Sequence, residues 1–399
     1  MTTKSLDLVE LTLKPDEEDR LNRGHLWVFS NELAAVPKTV PPGTLALLKT
    51  SKGKTMGVGF FNPNSLIAFR LLSREPRPVD QDFFKDRLQA ALDRRKRWLG
   101  DARSFRLCFG ESDGLPGLVV DKYEDCLVLE VLSAGIELRL DDVVAGLDAI
   151  LKPRAVYVRN EHPARALEGL AGPSRTLLGT LPETVVIEED GLKFLVGLGK
   201  GQKTGYYFDQ RENRKAVAPL AKGRNVLDLY CYTGSFALYA ARAGALRVVA
   251  VDSSGPALEL ARESAKLNGL EGKVLFEEGD AEGILDEFSS ARRQLMPDMV
   301  LLDPPSLVPS RKHLPQALKA YSRLNANAFR LLLGGGVVVT STCSHHVSHE
   351  GFMDFLRDAA GKSQKTARLL EVRGAAKDHP VLLTMPETEY LRCAVIEIS

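Results

Sequence analysis

The chain has 399 residues, 44% of them apolar and 26% charged, with a formal net charge of +1 at pH 7. That length predicts two or three domains rather than one core, and the balance is that of an ordinary globular protein. No apolar run approaches the ~18 residues of a membrane-spanning helix, which excludes one, and a charge near zero neither demands nor rules out nucleic acid.

The stretch MTTKSLDLVELTLKPDEEDR at the start alternates in character and lacks a charged-then-apolar export signal. Cys108, Cys126, Cys231, Cys343 and Cys393 lie far apart, without CxxC spacing. Both features predict a cytoplasmic protein with reduced thiols rather than a disulfide framework. Residues 1–75 carry short alternating runs broken by Gly and Pro: LDLVELTL, PPGTLALL at 41–48 and MGVGFF at 56–61. Strands at that spacing predict a small β-barrel. Arg74–Pro78 reads as a linker. A helix follows over Asp80–Leu99, with Phe83, Phe84, Leu88, Ala91, Leu92 and Trp98 expected on its apolar face. Lys85–Arg106 holds eight Lys/Arg against three Asp, and Arg311–Gly336 holds five Lys/Arg and no acid. Such runs are either solvated helix faces or phosphate contacts.

The block 76–182 continues with a turn at Asp113–Gly117, strands at Leu118–Asp121 and Leu127–Leu132, a helix over Leu138–Leu151 and a strand at Ala155–Arg159. It reads as a small α/β linking domain. From 183 to 399 a hairpin (Val185–Glu188 and Phe194–Val196 around Asp190-Gly191) leads into alternating strands and helices. Strands are expected at Val226–Leu229, Val248–Val251, Val274–Glu277, Met299–Leu302 and Val337–Thr340. This pattern predicts a doubly wound parallel sheet, a Rossmann-like α/β fold, with ligands at the carboxyl ends of its strands.

The most informative segment is Asn225–Asp252, a β-α-β unit. A dinucleotide site wants G-x-G-x-x-G after the first strand, and this loop holds one glycine, Gly234. The stretch GLGKGQKTG at 197–205 fails the P-loop spacing. Asp228 would repel phosphates but suits a ligand carrying a cation, which points to S-adenosylmethionine. Asp252 is placed for ribose hydroxyls and Asp280 for the adenine edge. Any one of these acids could be a loop or capping carboxylate, but three at successive strand ends weaken that reading. The expected donor contacts are Asp228, Tyr230, Thr233, Gly234 and Ser235, then Asp252 and Ser253, Asp280 and Ala281, and Asp303.

LDPPS at 302–306 ends the fourth strand and GVVVTSTC at 336–343 the fifth. With neighbouring strands about 4.8 Å apart, Asp303 and Cys343 are expected to face each other. A cysteine at a strand end is commonly just a small buried hydrophobe. Beside a D-P-P loop and a methyl-donor site it reads instead as a nucleophile. A free thiol titrates near 8.5, so such a site must help form the thiolate. Its addition to carbon 6 of a cytosine would let carbon 5 attack the methyl group, with Asp303 stabilising the ring. Cys343, His345, His346 and His349 could be read as zinc ligands, but no second cluster completes a site and no metal is expected. Packing explains Cys231 better than chemistry does.

Seven motifs together carry a family likeness: GHLWVFSNEL (24–33), FGESDGLPGLVVD (109–121), KTGYYFDQREN (203–213), LDLYCYTGSFAL (227–238), LDPPS (302–306), STCSHHVSHEGF (341–352) and the tail DHP…PETEYLR (378–392). Over essentially its whole length the sequence resembles the bacterial RlmI-type 23S ribosomal RNA (cytosine-C5) methyltransferases. The resemblance implies a PUA-like barrel, a linking domain and a class I methyltransferase domain. It implies that Tyr207, Phe208, Asp209, Gln210 and Arg211 close over S-adenosylmethionine, that Cys343 is the nucleophile, and that ribosomal RNA is the partner. It is compatible with a homodimer. Many related RNA cytosine-C5 enzymes carry a second cysteine directly after D-P-P; here Ser306 stands there. The base that takes the C5 proton is therefore open between Asp303, Lys203 and water. Two rivals remain. An exocyclic-amine methyltransferase would favour an aromatic at position 306. A non-catalytic RNA-binding scaffold would be expected to lose the donor acids, yet all three are present.

Overall fold

The computed structural model describes residues 8–199, 204–290, 296–308 and 310–399. Lys203 and the middle of the stretch at 197–205 lie outside the described residues. The chain divides into two compact units. The first comprises Met1–Glu183, Leu198–Gly205 and Asp378–Thr388; the second comprises Thr184–Gly197, Tyr206–Lys377 and Glu389–Ser399.

In the first unit, β1 (Val9–Thr12), α1 (Asp19–Asn22), β2 (Trp27–Phe29), β3 (Thr44–Lys49), β4 (Thr55–Phe61) and β5 (Ile67–Ser73) build a five-stranded sheet of order β1-β3-β4-β5-β2. A bridge between Leu13 and Leu33 brings its two edges together, curling the sheet toward a barrel. Gly59 is needed where β4 meets β5, because a Cβ there would lie 2.2 Å from the Arg70 carbonyl oxygen. Next comes α2 (Gln81–Leu99), whose N-cap Asp80 accepts from the Phe83 N–H at 3.1 Å. That cap satisfies one of the orphan donors of the first turn.

Phe83, Phe84, Leu88, Ala91 and Leu92 are buried along α2, but Trp98 is 59% exposed. It lies six residues beyond Leu92, off the helical repeat, and Arg95 holds the buried place instead. Arg95 makes a two-pronged ion pair with Asp113 at 2.6 and 2.8 Å and donates to the Asp378 carbonyl. Arg94 also pairs with Asp113, Arg106 with Asp121 and Arg103 with Glu124. Arg94, Arg95, Arg103 and Arg106 of the Lys85–Arg106 run are thus held in ion pairs, and of these four Arg95 alone is buried.

The second sheet of this unit contains β6 (Phe105–Phe109), β7 (Leu118–Tyr123), β8 (Cys126–Val131), β9 (Ala155–Arg159) and β10 (Arg175–Gly179), in the order β10-β9-β8-β7-β6. The chain between β8 and β9 forms α3 (Ala134–Glu137) and α4 (Leu140–Leu151). One apolar cluster joins Val58, Phe60 and Leu72 of the first sheet to Leu118, Val120, Leu129 and Val158 of the second. Each such side chain stabilises the fold by about 1.5–3 kcal/mol, so the two sheets share a core across the Arg74–Pro78 linker.

The second unit opens with the hairpin β11 (Thr184–Glu189) and β12 (Leu192–Gly197), followed by α5 (Arg211–Val217). Strands β13 (Asn225–Leu229), β14 (Arg247–Asp252), β15 (Val274–Glu278), β16 (Met299–Leu302), β17 (Gly336–Thr342), β18 (Ala367–Arg373) and β19 (Arg392–Ile398) form one sheet, ordered β15-β14-β13-β16-β17-β19-β18. The connecting helices are α6 (Ser235–Arg242), α7 (Gly255–Leu267), α8 (Ala281–Ser289), α9 (Leu314–Leu331) and α10 (His349–Ser363). The five expected strands are parallel neighbours, but the sheet is mixed. The chain passes to the far edge for β18 and returns as β19, which runs antiparallel between β17 and β18. The order reverses at β13, so the crevice above β13, β14 and β16 is the topological switch point.

Candidate functional site

Asp228 lies within β13, opposite Ala250 and Leu301, and is 1% exposed. Its Oδ2 is buried with no hydrogen-bond partner among the described residues, as is the Thr233 hydroxyl. Burial pushes the Asp228 carboxyl well above the usual range, the charges of Asp303 and Asp252 add to it, and the Ala237 amide opposes them. The loop that follows turns with Tyr230 at φ 63°, Tyr232 at φ 49° and Gly234 at φ 73°. Two tyrosines in left-handed backbone cost on the order of 1–3 kcal/mol each. The curvature that a dinucleotide loop takes from glycines is imposed here by the surrounding fold. Gly234 itself is required, since a Cβ would lie 2.7 Å from the Phe276 ring.

Asp252, at the end of β14, accepts from the Tyr232 N–H at 2.8 Å and the Ser254 N–H at 2.9 Å, holding two strand-end loops together. Asp280 is exposed and caps α8, accepting from the Gly283 N–H at 2.9 Å. The capping reading therefore holds for Asp280, and a carboxylate with about four acceptor sites retains capacity for a ligand. Ser235 and Ala281 open α6 and α8, and Ser253 is exposed beside Asp252. Cys231 is buried, and burial together with Asp228 and Asp252 raises its thiol pKa well above normal, which suits packing. Unpartnered buried oxygens on Asp228 and Thr233 call for a donor. A cationic amino group meets that demand; a pyrophosphate beside three carboxylates does not.

Register separates the two acceptor-side residues. Leu302 pairs with Thr340, so Asp303 comes level with Ser341, and Cys343 stands two residues further along. Gln210, 2% exposed, donates from Nε2 to Asp303 Oδ1 at 2.9 Å and to Ser341 Oγ at 3.2 Å. Cys343 is half-buried. Tyr207 lies edge-on to Tyr232 with ring centroids 5.3 Å apart. Its phenol is pushed strongly upward, first by burial and then by Tyr232, Asp303, Asp209 and Cys343. The contact with Tyr232 sets Tyr207 against the loop after β13, as expected of the segment that closes over the methyl donor.

Behind Cys343, the Tyr321 hydroxyl ties the two strand-end loops together. It accepts from Thr342 Oγ1 at 3.1 Å and from the Leu307 N–H at 3.3 Å, and meets Ser344 Oγ at 3.3 Å. Ser344 in turn bonds Ser306, 2.7 Å away. Of the five residues expected to close over the donor, Tyr207 and Gln210 reach the strand-end loops, and the others have further anchors. Phe208 is buried against Tyr206 with Arg211 over its ring, and Asp209 accepts from the Tyr390 hydroxyl at 2.5 Å. Arg211 and Arg214 both pair with the buried Glu189, at 3.0 and 2.7 Å. Glu189 and Tyr321 escaped the sequence reading, and Asn213 and Tyr390 stood in quoted motifs without a role; an acid at the end of a hairpin strand carries no local signal of burial. Among the described residues no three His, Cys, Asp or Glu side chains converge to hold a metal, and His345 lies against Tyr390.

Two family models match the chain: a PUA-like domain over residues 11–74 and an S-adenosylmethionine-dependent methyltransferase over residues 161–375. The chain is 37% identical over 385 residues to ribosomal RNA large subunit methyltransferase I of Aeromonas hydrophila, covering 95% of this chain and 96% of that protein. It is 36% identical over 396 residues to the protein of the same name from Shewanella denitrificans, with coverage of 98% and 99%. Among solved structures, a SAM-dependent methyltransferase from Streptococcus mutans superposes with a TM-score of 0.83 at 23% identity, over 98% of this chain and 100% of that one. A methyltransferase complexed with SAH gives 0.84 at 22%, with the same coverage. At such identities these two speak for the fold.

Proposed function

The chain belongs to the ribosomal RNA large subunit methyltransferase I family of S-adenosylmethionine-dependent enzymes, and from that premise we propose that it methylates carbon 5 of a cytosine in 23S ribosomal RNA through a covalent adduct of Cys343. S-adenosylmethionine supplies an electrophilic methyl group on a sulfonium. In this reading Asp228 and Thr233 hold its amino group, Asp252 its ribose hydroxyls and Asp280 its adenine edge, while the PUA-like domain contributes RNA contacts. A ribosomal RNA substrate places the enzyme in the cytoplasm.

Carbon 5 of cytosine is a poor nucleophile. Bonding of the Cys343 thiolate to carbon 6 moves the ring electrons toward carbon 5 and N3, and Asp303, accepting from the 4-amino group on the N3/N4 edge, holds the ring in place for that shift. Carbon 5 then takes the methyl group, its proton leaves to a base, and breaking of the S–C6 bond returns the thiolate. The observation that carries this reading is the placement of Asp303 and Cys343 just beyond the ends of the adjacent parallel strands β16 and β17.

The test is transfer of labelled methyl from S-adenosylmethionine to protein-free 23S RNA, followed by digestion to nucleosides. 5-Methylcytidine is expected, and Cys343→Ala should abolish it while S-adenosylmethionine still binds. An N-methylated purine, or full activity without the thiol, would favour the exocyclic-amine reading. No methyl transfer and no donor binding would favour the scaffold.

A further inference from the structure

We propose that Asn213 and Gln210 form a directional relay that holds Asp303 as a hydrogen-bond acceptor, so that the site selects a base carrying a 4-amino group. The proposal rests on the cytosine reading above and assigns positioning residues that reading does not contain.

The direction of the relay follows from its ends. Arg373 donates from Nε to Asn213 at 3.0 Å, and a guanidinium has no acceptor, so the atom it meets must be the amide oxygen. The Asn213 amino group then faces Gln210 Oε1 at 2.6 Å and the Gly374 carbonyl at 3.1 Å. With its oxygen so occupied, Gln210 turns its own amino group to Asp303 Oδ1, 2.9 Å away, and Ser341 Oγ. Both amides are buried, and reversing either would set oxygen against oxygen at one end and N–H against N–H at the other. The donor-only arginine thereby dictates the orientation of two side chains and of the carboxylate beyond them.

The arrangement matters because the protonation state of Asp303 sets which base it can pair with. Burial and, after it, the charge of Asp303 raise the Asp228 carboxyl, the Tyr207 phenol and the Cys393 thiol. A protonated Asp303 could donate to the 4-carbonyl of uracil; an ionised one can only accept, from the 4-amino group of cytosine. The Gln210 N–H favours the ionised form, as a donor to a carboxylate does. A site built to accept an N–H discriminates strongly against an analogue lacking it.

The experiment pairs enzyme variants with substrate variants. A large-subunit RNA fragment carrying the mapped target is made with cytosine, and again with pyrimidin-2-one, which lacks the 4-amino group. Gln210→Met should lower kcat/KM on the cytosine RNA by about tenfold or more, with S-adenosylmethionine affinity by calorimetry held within about threefold. On the pyrimidinone RNA the same variant should cost little. Asn213→Asp keeps the size but removes the donor toward Gln210, and should show the same pattern at smaller amplitude. It carries the test if Gln210→Met does not fold. Equal losses on both RNAs would overturn the relay and leave a merely structural role. Activity surviving Cys343→Ala would instead sink the cysteine reading, an outcome independent of the ratio between the two RNAs.

Discussion

On the donor side of the seven-stranded sheet, Asp252 and Asp280 stand at strand ends and take their hydrogen bonds from backbone N–H groups, and Asp228 is held by burial within β13. On the acceptor side, Asp303 and the loop of Cys343 are held by side chains from distant segments: Gln210 and Asn213 near α5, Tyr321 on α9, Ser306 after β16. Backbone donors are present whatever the neighbouring residue, so the donor side tolerates substitution around its acids. Side-chain donors vanish with a single replacement, so the acceptor side should be sensitive even to near-isosteric changes. Both sides lean on Glu189, which fastens the segment 206–214 through Arg211, Arg214 and Tyr206.

The largest effect should therefore come from Glu189→Gln, which removes a buried charge from two arginines and is expected to cost about 3–5 kcal/mol of stability. Burial disfavours the charge on Arg214, but Glu189 outweighs it, leaving the guanidinium pKa above normal. Denaturant unfolding measures the loss; a change below about 1 kcal/mol would mean the segment is held by something else.

Asp228→Asn should weaken S-adenosylmethionine binding by roughly 10- to 100-fold, the worth of a hydrogen bond to a charged group, while raising the thermal midpoint of the free protein. The sign follows from the raised pKa. A carboxyl whose folded value lies above its unfolded value stabilises the fold below the unfolded pKa and loses that contribution as pH climbs toward the folded one. The stabilisation by Asn should thus be greater at pH 8 than at pH 4. A cationic ligand reverses the shift, so calorimetry in buffers of different ionisation enthalpy should show proton release on binding, absent in the variant.

Tyr321→Phe should sharpen the contrast further. It deletes the hydroxyl that joins Thr342, Ser344 and Leu307 and leaves the donor side untouched, so kcat should fall about tenfold with donor affinity unchanged. An equal loss in donor affinity would show that the two sides are not separable. The smallest effect should be that of Asp280→Ala, an exposed cap worth about 1 kcal/mol of stability. Its weakening of donor affinity should be about tenfold or less. A larger loss would make the adenine contact, rather than the cap, its main task.

Strand ends and their acids were legible because continuous apolar runs give way to Asp252 and Asp303 after β14 and β16 and are interrupted by Asp228 in β13, and chemistry concentrates where a parallel strand ends. Most of the apolar face of α2 was legible for the same local reason. The exposure of Trp98 was not, because Arg95 holds the buried position through an ion pair with Asp113, 18 residues on and outside the helix. The antiparallel insertion of β19 was hidden too, since neighbour order depends on the return path of the chain. Gln210 could be found only as part of a motif; that it serves Asp303 depends on Arg373, more than 160 residues later in the chain.

Sequence alone determined the β-α-β frame, the acids at its strand ends and the cysteine after β17, because each is a local pattern of apolar runs, turns and charges. The tertiary structure decided which basic residues are engaged in ion pairs, how two tyrosines bend the donor loop, and which amides orient Asp303. Those outcomes rest on hydrogen bonds and packing between segments that meet only when the chain has folded.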